Sequence, residues 1–283
     1  MSLTASTKPA LTDAALLQAR YGAAAAPAAA GKLNDVLRSL LAHRTVRAYL
    51  PDALPAGTLE TLLAAAQSAP SSSNLQLWSV IAVEDHGRKA RLSQVAGVQP
   101  HIEQAPLFLV WLADLSRADR VAAARSRTME GCAYLESFVV AAIDAGLAAQ
   151  NAAAAAESMG LGTCYVGALR NDPERVAAEL GLPPRAMALF GMCVGREDPA
   201  RASDIKPRLP QPLVAFRERY AAPQAEVELV AKYDETLSAF SRSHGMGDVN
   251  WTSRLFARMG SVKGLNGRDR MRAMMQALGF ELR

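Results

Sequence analysis

Two short basic stretches lie far apart in the chain, His43-Arg44-Thr45-Val46-Arg47-Ala48-Tyr49 and Lys206-Pro207-Arg208. In an extended segment alternate side chains share a face, so His43, Thr45 and Arg47 offer an imidazole, a hydroxyl and a guanidinium to one ligand. Arginine suits phosphate because its planar fork donates two parallel hydrogen bonds. Lys206 and Arg208 can likewise share one side of a segment that Pro207 and Pro210 hold extended. Cations also complement a helix C-terminus, and arginines are mostly exposed in any protein, so each stretch alone is equally consistent with solvated surface. A third stretch, Ser71-Ser72-Ser73-Asn74-Leu75-Gln76, offers more hydroxyl and amide groups than a turn needs. Together the three describe a site for a phosphorylated, hydrogen-bonding cofactor with an electron-poor ring.

Other chemistries are poorly represented. Gly160-x-Gly162 and Gly167 imitate a dinucleotide fingerprint, but a helix pattern precedes them and position 165 is Tyr. There is no serine-hydrolase elbow, no His-Glu-x-x-His and no acidic cluster suited to Mg²⁺, so no metal site is expected. The cysteines, Cys132, Cys164 and Cys193, are odd in number and widely spaced. They read as buried small hydrophobes in a reducing compartment, the cytoplasm. With 283 residues and a formal net charge of +4, the chain is mildly basic, yet its Lys and Arg are dispersed. No nucleic-acid partner is expected. The most apolar segment, Tyr134 to Met159, carries Glu136, Asp144, Gln150, Asn151 and Glu157, which fits a helix buried in protein rather than in lipid, so no membrane span is expected.

The elements that must carry these groups follow from periodicity. Residues 1–31 form an Ala/Pro-rich leader in which Leu16 to Tyr21 can fold as a short docking helix, and Ala23–Ala30 reads as a linker. Apolar residues at 33, 36, 37, 40 and 41 predict a helix that ends at the first basic stretch, and Val46-x-Ala48-x-Leu50 predicts extended chain after it. A helix opened by Pro55 and Thr58 stops before Pro70. Strands are predicted at Trp78–Val83, Leu107–Leu112 and Met187–Val194, with a strand or strand end at Cys164–Gly167. Arg117 to Glu130 reads as a charged connector into the long Ala-rich helix, which stops at Gly160-Leu161-Gly162. Asp172-Pro173-Glu174 is a helix start. Past Pro212, Glu226–Phe240, Trp251–Met259 and Asp269–Leu278 are helical patterns, and the stripe Met271, Met274, Met275, Leu278 reads as core or dimer contact. The resulting division is a leader (1–31), a cofactor-binding core (32–212) and a helical C-terminal extension (213–283) of an α+β protein.

Five pieces in order, from Leu33 to Arg283, resemble the nitroreductase family of FMN-dependent oxidoreductases. They are the His-Arg-Thr-x-Arg stretch, Ser71 to Gln76, Ala156-Glu157-Ser158-Met159-Gly160-Leu161-Gly162, Tyr165-Val166-Gly167-Ala168-Leu169-Arg170, and Lys206-Pro207-Arg208-Leu209-Pro210. The likeness is closest to the oxygen-insensitive NADPH nitroreductase and NADPH–flavin oxidoreductase subgroup. The resemblance implies a mixed, mainly antiparallel central sheet flanked by helices, and an intertwined homodimer with a helical C-terminal excursion and FMN at the subunit interface. It implies that His43, Arg44 and Thr45 lie at the FMN phosphate with Lys206 and Arg208 opposite, and that Arg47 reaches the pyrimidine edge. Ser71, Ser72, Ser73 and Gln76 would hold ribityl or ring atoms, partly from the partner subunit. Gln99, Tyr165, Gly167 and Ala168 would lie near the ring. No protein side chain is then needed as a catalytic group. The implied activity is a ping-pong, two-electron reduction of nitroaromatics, quinones or free flavin by NADPH, with NADH as the second candidate donor. The alternatives are a flavin-binding sensor without turnover, or an FMN enzyme with a dedicated substrate. The subgroup has Ser where this chain has Thr45. It also has an Arg-rich loop for the NADPH 2′-phosphate where this chain has Ser243 to Asn250, so only a modest preference for NADPH is implied.

Overall fold

A computed structural model describes residues 11–23, 26–27 and 31–283, so residues 1–10 of the leader and most of the Ala23–Ala30 tract lie outside the described residues. The chain forms two compact units, one built from the segment up to Arg44 together with Asp204–Ser261, the other from Thr45–Ser203 and Val262–Arg283. In chain order the main elements are α1 (Asp13–Tyr21), α2 (Asp35–Ala42), α3 (Thr58–Gln67), β1 (Trp78–Val83), α4 (His86–Val95), α5 (Pro100–Gln104), β2 (Leu107–Asp114), α6 (Ser116–Ala124), α7 (Leu135–Ser158), β3 (Gly162–Val166), α8 (Pro173–Leu180), β4 (Ala186–Gly195), α9 (Glu226–Ser243), α10 (Trp251–Met259) and α11 (Met271–Ala277).

The first unit is helical. Each of its short helices begins on a side chain that accepts an otherwise orphaned N–H. Thr12 Oγ1 caps α1 through the Ala15 N–H at 3.2 Å, Asn34 caps α2 through Leu37 at 2.9 Å, and Asn250 caps α10 through Ser253 at 2.8 Å. Gly22, at φ 80°, ends α1 by donating its N–H to the Gln18 carbonyl at 2.7 Å.

The second unit is a three-layer sandwich around one sheet of order β1-β2-β4-β3. Among the described residues all the strand pairs are antiparallel, and the parallel feature of the mixed, mainly antiparallel sheet that the resemblance implied is the isolated bridge of Thr45 to Thr163. β2 is buried along its whole length because both faces are covered. Phe108, Val110 and Leu112 pack on one side with Leu92, Ile102 and Val176 from α4, α5 and α8. Leu107, Leu109 and Trp111 pack on the other with Leu62 of α3 and the alanines of α7. The period of two along the strand thus serves two layers. Met275 of α11 joins a third cluster with Met187 and Phe280, so that part of the methionine stripe is core.

Most predicted elements form within two residues of their expected ends. The exceptions are instructive. The charged connector at Arg117–Glu130 contains a helix, α6, whose polar sequence hides its short buried face at Ser116 and Ala122. The polar α4 also escaped the periodicity, since its mean hydropathy is low although Leu92 and Val95 are buried. β2 runs two residues past Leu112, to Asp114, whose carboxylate accepts the Ser79 hydroxyl from β1 at 2.5 Å.

Candidate functional site

Within the first unit the two basic stretches meet. Arg20, near the end of α1 and 6 % exposed, donates from Nη1 to the Lys206 carbonyl at 2.9 Å. Its Nη2 donates to the carbonyls of Leu41 at 2.7 Å and His43 at 2.8 Å. The Arg208 N–H returns a bond to the Arg20 carbonyl at 2.8 Å. His43, Arg44 and Lys206 are half-buried and Arg208 is exposed. The backbones that carry His43-Arg44 and Lys206-Arg208, separated in sequence, are therefore tied to one guanidinium; basic side chains of these kinds are donors suited to phosphate.

In the second unit, Thr45 to Arg47 runs beside β3. The Val46 N–H donates to the Thr163 carbonyl at 2.9 Å. This approach depends on Gly162, where a Cβ would stand 2.5 Å from Val46 Cγ2. Val46 and Ala48 are buried, which leaves Arg47 exposed, as the alternation requires. Tyr49 Oη donates to the Val46 carbonyl at 2.7 Å and closes the segment. Next along β3, Tyr165 is 36 % exposed and packs edge-on against Phe190, with ring centroids 5.4 Å apart. Gly167 and Ala168 follow in a tight turn, and a Cβ on Gly167 would lie 3.2 Å from an Arg170 guanidinium nitrogen. Tyr165, Phe190 and Arg170 thus form the β3 end of an apolar region that includes a 360 Å³ cavity lined by Phe138, Leu189 and Met275.

Gln99 is half-buried just before α5, and its amide donates to the Ala96 carbonyl at 2.9 Å. Two residues on, His101 is 8 % exposed and its Nε2 has no hydrogen-bond partner. Burial, and then the charge of nearby Arg47, pull its imidazole down to about 4. Arg47 is therefore near enough to act on the imidazole while its own side chain is exposed.

The hydroxyl loop is held by a residue that the sequence reading used only as an argument against lipid. Asp144 in α7 is 1 % exposed. Its Oδ2 accepts the Ser71 hydroxyl at 2.7 Å and its Oδ1 accepts the Ser72 N–H at 3.0 Å. Ser71 Oγ in turn accepts the Gln76 N–H at 2.8 Å. The ring so closed holds Ser73, Asn74 and Gln76 at φ 49°, 55° and 52°. Left-handed angles cost ~1–2 kcal/mol per non-glycine residue, so the loop needs such a restraint. Ser71 is therefore committed to Asp144, whereas Ser72, Ser73 and Gln76 are exposed.

The loop precedes β1, and Thr45–Arg47 runs beside β3. These are opposite edges of the four-stranded sheet, three strand gaps or about 14 Å apart. The fold thus gathers the basic residues of the first unit, and separately, in the second, sets Thr45–Arg47 along β3, at the sheet edge opposite the hydroxyl loop. Arg20, His101 and Asp144 are the residues that sequence reasoning missed. Only Asp144 left a signal, as an acid in an otherwise alanine-rich helix.

Comparison with known proteins follows the same lines. Residues 40–196 match the Nitroreductase family and residues 206–283 the Nitroreductase family, C-terminal domain. The chain is 40 % identical over 226 residues to an FMN reductase [NAD(P)H] of Bacillus subtilis, covering 79 % of this chain and 90 % of that one. It is 35 % identical over 213 residues to an oxygen-insensitive NADPH nitroreductase of Salmonella typhimurium, covering 75 % and 85 %. Among solved structures, a hypothetical oxidoreductase of Bacillus subtilis superposes with a TM-score of 0.82 at 36 % identity, over 88 % of this chain and 99 % of the other.

Proposed function

This chain belongs to the nitroreductase family, and from that premise we propose that it is an FMN-dependent NAD(P)H oxidoreductase that reduces small electron-poor acceptors such as nitroaromatics, quinones or free flavin. The observation that carries the reading is the meeting of the two basic stretches on Arg20, which supplies the phosphate-binding donor set. FMN, when bound, supplies two-electron transfer from NAD(P)H to the acceptor in alternating half-reactions. The chain's own task is to bind and orient it. His43, Arg44, Thr45, Lys206 and Arg208 hold the phosphate, and Arg47 faces the pyrimidine edge, where a fixed cation stabilises negative charge. Gln99, Tyr165, Gly167 and Ala168 border the ring.

The homodimer belongs to the same proposal. On α7, Leu135, Val139, Ile143 and Leu147 are spaced by four and are 40–55 % exposed, while most alanines of the same helix are buried. A helix apolar on both faces calls for a second cover, and a second copy of the chain supplies it. Such pairing lets Ser72, Ser73 and Gln76 serve the partner's flavin, which is supported by their position at the sheet edge remote from Arg47. Coenzyme preference is a finer point. Arg242 is engaged by Asp248 at 2.8 Å, so little free charge is offered to a 2′-phosphate in that loop, and NADPH and NADH are expected to reduce the protein at rates within about tenfold of each other.

The test is anaerobic stopped-flow mixing of flavin-loaded protein with NADPH or NADH, followed by an acceptor panel. Bleaching of the flavin and its return on adding acceptor are expected. Folded protein that takes up no FMN, or that holds FMN which NAD(P)H does not bleach, overturns the enzyme reading.

A further inference from the structure

We propose that α1 is a clamp that preorganises the FMN phosphate site, with Arg20 as its positioning residue; the inference rests on the FMN reading above. The family match begins at residue 40, so α1 lies outside the matched residues.

The geometry is specific. One buried guanidinium spans the carbonyls of Lys206, Leu41 and His43 at 2.7–2.9 Å, and the carbonyl of the same residue takes the Arg208 N–H at 2.8 Å. Tyr233, in α9 of the same unit, donates its hydroxyl to the Pro207 carbonyl at 3.0 Å. The backbone of Lys206-Pro207-Arg208 is thereby fixed on both sides while the Arg208 side chain stays exposed. α1 ends close against α9 at Gly22, where an added Cβ would stand 3.3 Å from Thr236 Cγ2.

Two segments so distant in sequence have no local reason to stay together, and the bonds to Arg20 supply one. Carbonyl dipoles pointed at a buried cation draw both segments inward. Because the ordering is completed at folding, less affinity is lost to ordering when phosphate arrives. Arginine is required, since an ammonium is a point charge that cannot hold this fork-shaped set of acceptors in one geometry. Arg20 does not touch the cofactor in this scheme. It sets where the touching groups stand.

The deciding experiment compares FMN with riboflavin, which lacks the phosphate, in titrations of the apoprotein followed by flavin fluorescence. Arg20→Gln is expected to raise the Kd for FMN by ~10–100-fold, the scale of one or two charge-assisted hydrogen bonds, and to leave riboflavin binding within about twofold. Arg20→Lys, which keeps the stem and the charge, is expected to fall between, and serves as the deciding variant should Arg20→Gln not fold. Equal weakening of FMN and riboflavin reduces Arg20 to a packing residue and overturns the clamp, as does an unchanged preference for FMN in either variant. If the unsubstituted protein itself shows no preference for FMN over riboflavin, the phosphate site of the functional proposal fails, and the clamp with it. An FMN preference that survives in the variants sinks the clamp alone.

Discussion

In the first unit a buried cation, Arg20, donates to the carbonyls of the segments it holds; in the second a buried anion, Asp144, accepts the hydroxyl and amide of Ser71 and Ser72. The polarity of each anchor follows from what its loop must present. The proposed phosphate site has to present cations, so its anchor takes carbonyls. A loop that offers hydroxyls and amides to a ligand has donors to spare, so its anchor takes N–H and O–H. Both anchors lie on helices and are more than nine-tenths buried, which is where a charge holds geometry best and where losing its partners costs most.

The comparison can be broken most forcefully at the phosphate. Lys206→Ala combined with Arg208→Ala removes two charged donors, worth ~1.5–3 kcal/mol each, and the Kd for FMN is expected to rise by ~100-fold or more while riboflavin binding barely changes. Loss of both flavins in parallel would place these residues elsewhere than at a phosphate.

Asp144→Ala probes the opposite anchor. It leaves the Ser71 hydroxyl and the Ser72 N–H without their acceptor, at a cost of ~1–3 kcal/mol in stability. FMN and riboflavin are expected to weaken together, by about tenfold, because the loop addresses the part the two share. Hydrogen exchange should quicken at the Ser72 and Gln76 amides first. Unchanged exchange at both amides would remove Asp144 from the loop's support.

Arg47→Ala is expected to lower the potential of the bound flavin and to weaken both flavins by up to about tenfold, leaving the FMN-to-riboflavin ratio intact. A potentiometric titration in xanthine-driven reduction reads this directly, and an unaltered potential excludes Arg47 from the ring edge.

The smallest effect is a matter of pH. The His101 imidazole is held at about 4 in the fold against an ordinary value of 6.5. The unfolded chain therefore binds the extra proton first as pH falls, and stability declines between pH 6.5 and about 4, with no contribution above that window. His101→Phe should flatten this limb of a Tm-against-pH curve; a limb of unchanged depth assigns it to other groups.

Much of the fold was legible because it rests on local signals. β2 and β4 announce themselves as continuous apolar runs, and α7 by its length and its glycine stop, with Gly160 at φ 76°. The cap at Asp172, whose carboxylate accepts the Arg175 N–H at 3.0 Å, was equally readable. α4 and α6 were not, because their buried faces are one or two residues wide and the rest is polar.

The sequence by itself determined which groups this protein can offer, namely two basic stretches, a hydroxyl loop and an aromatic-glycine turn, since residue type and spacing are local properties. Tertiary structure alone decided which of them meet. Arg20 reaches Lys206 across 186 positions, and the loop before β1 lands at the sheet edge remote from Arg47, because strand order and helix docking are set by burial summed over the whole chain. No window of sequence contains that sum.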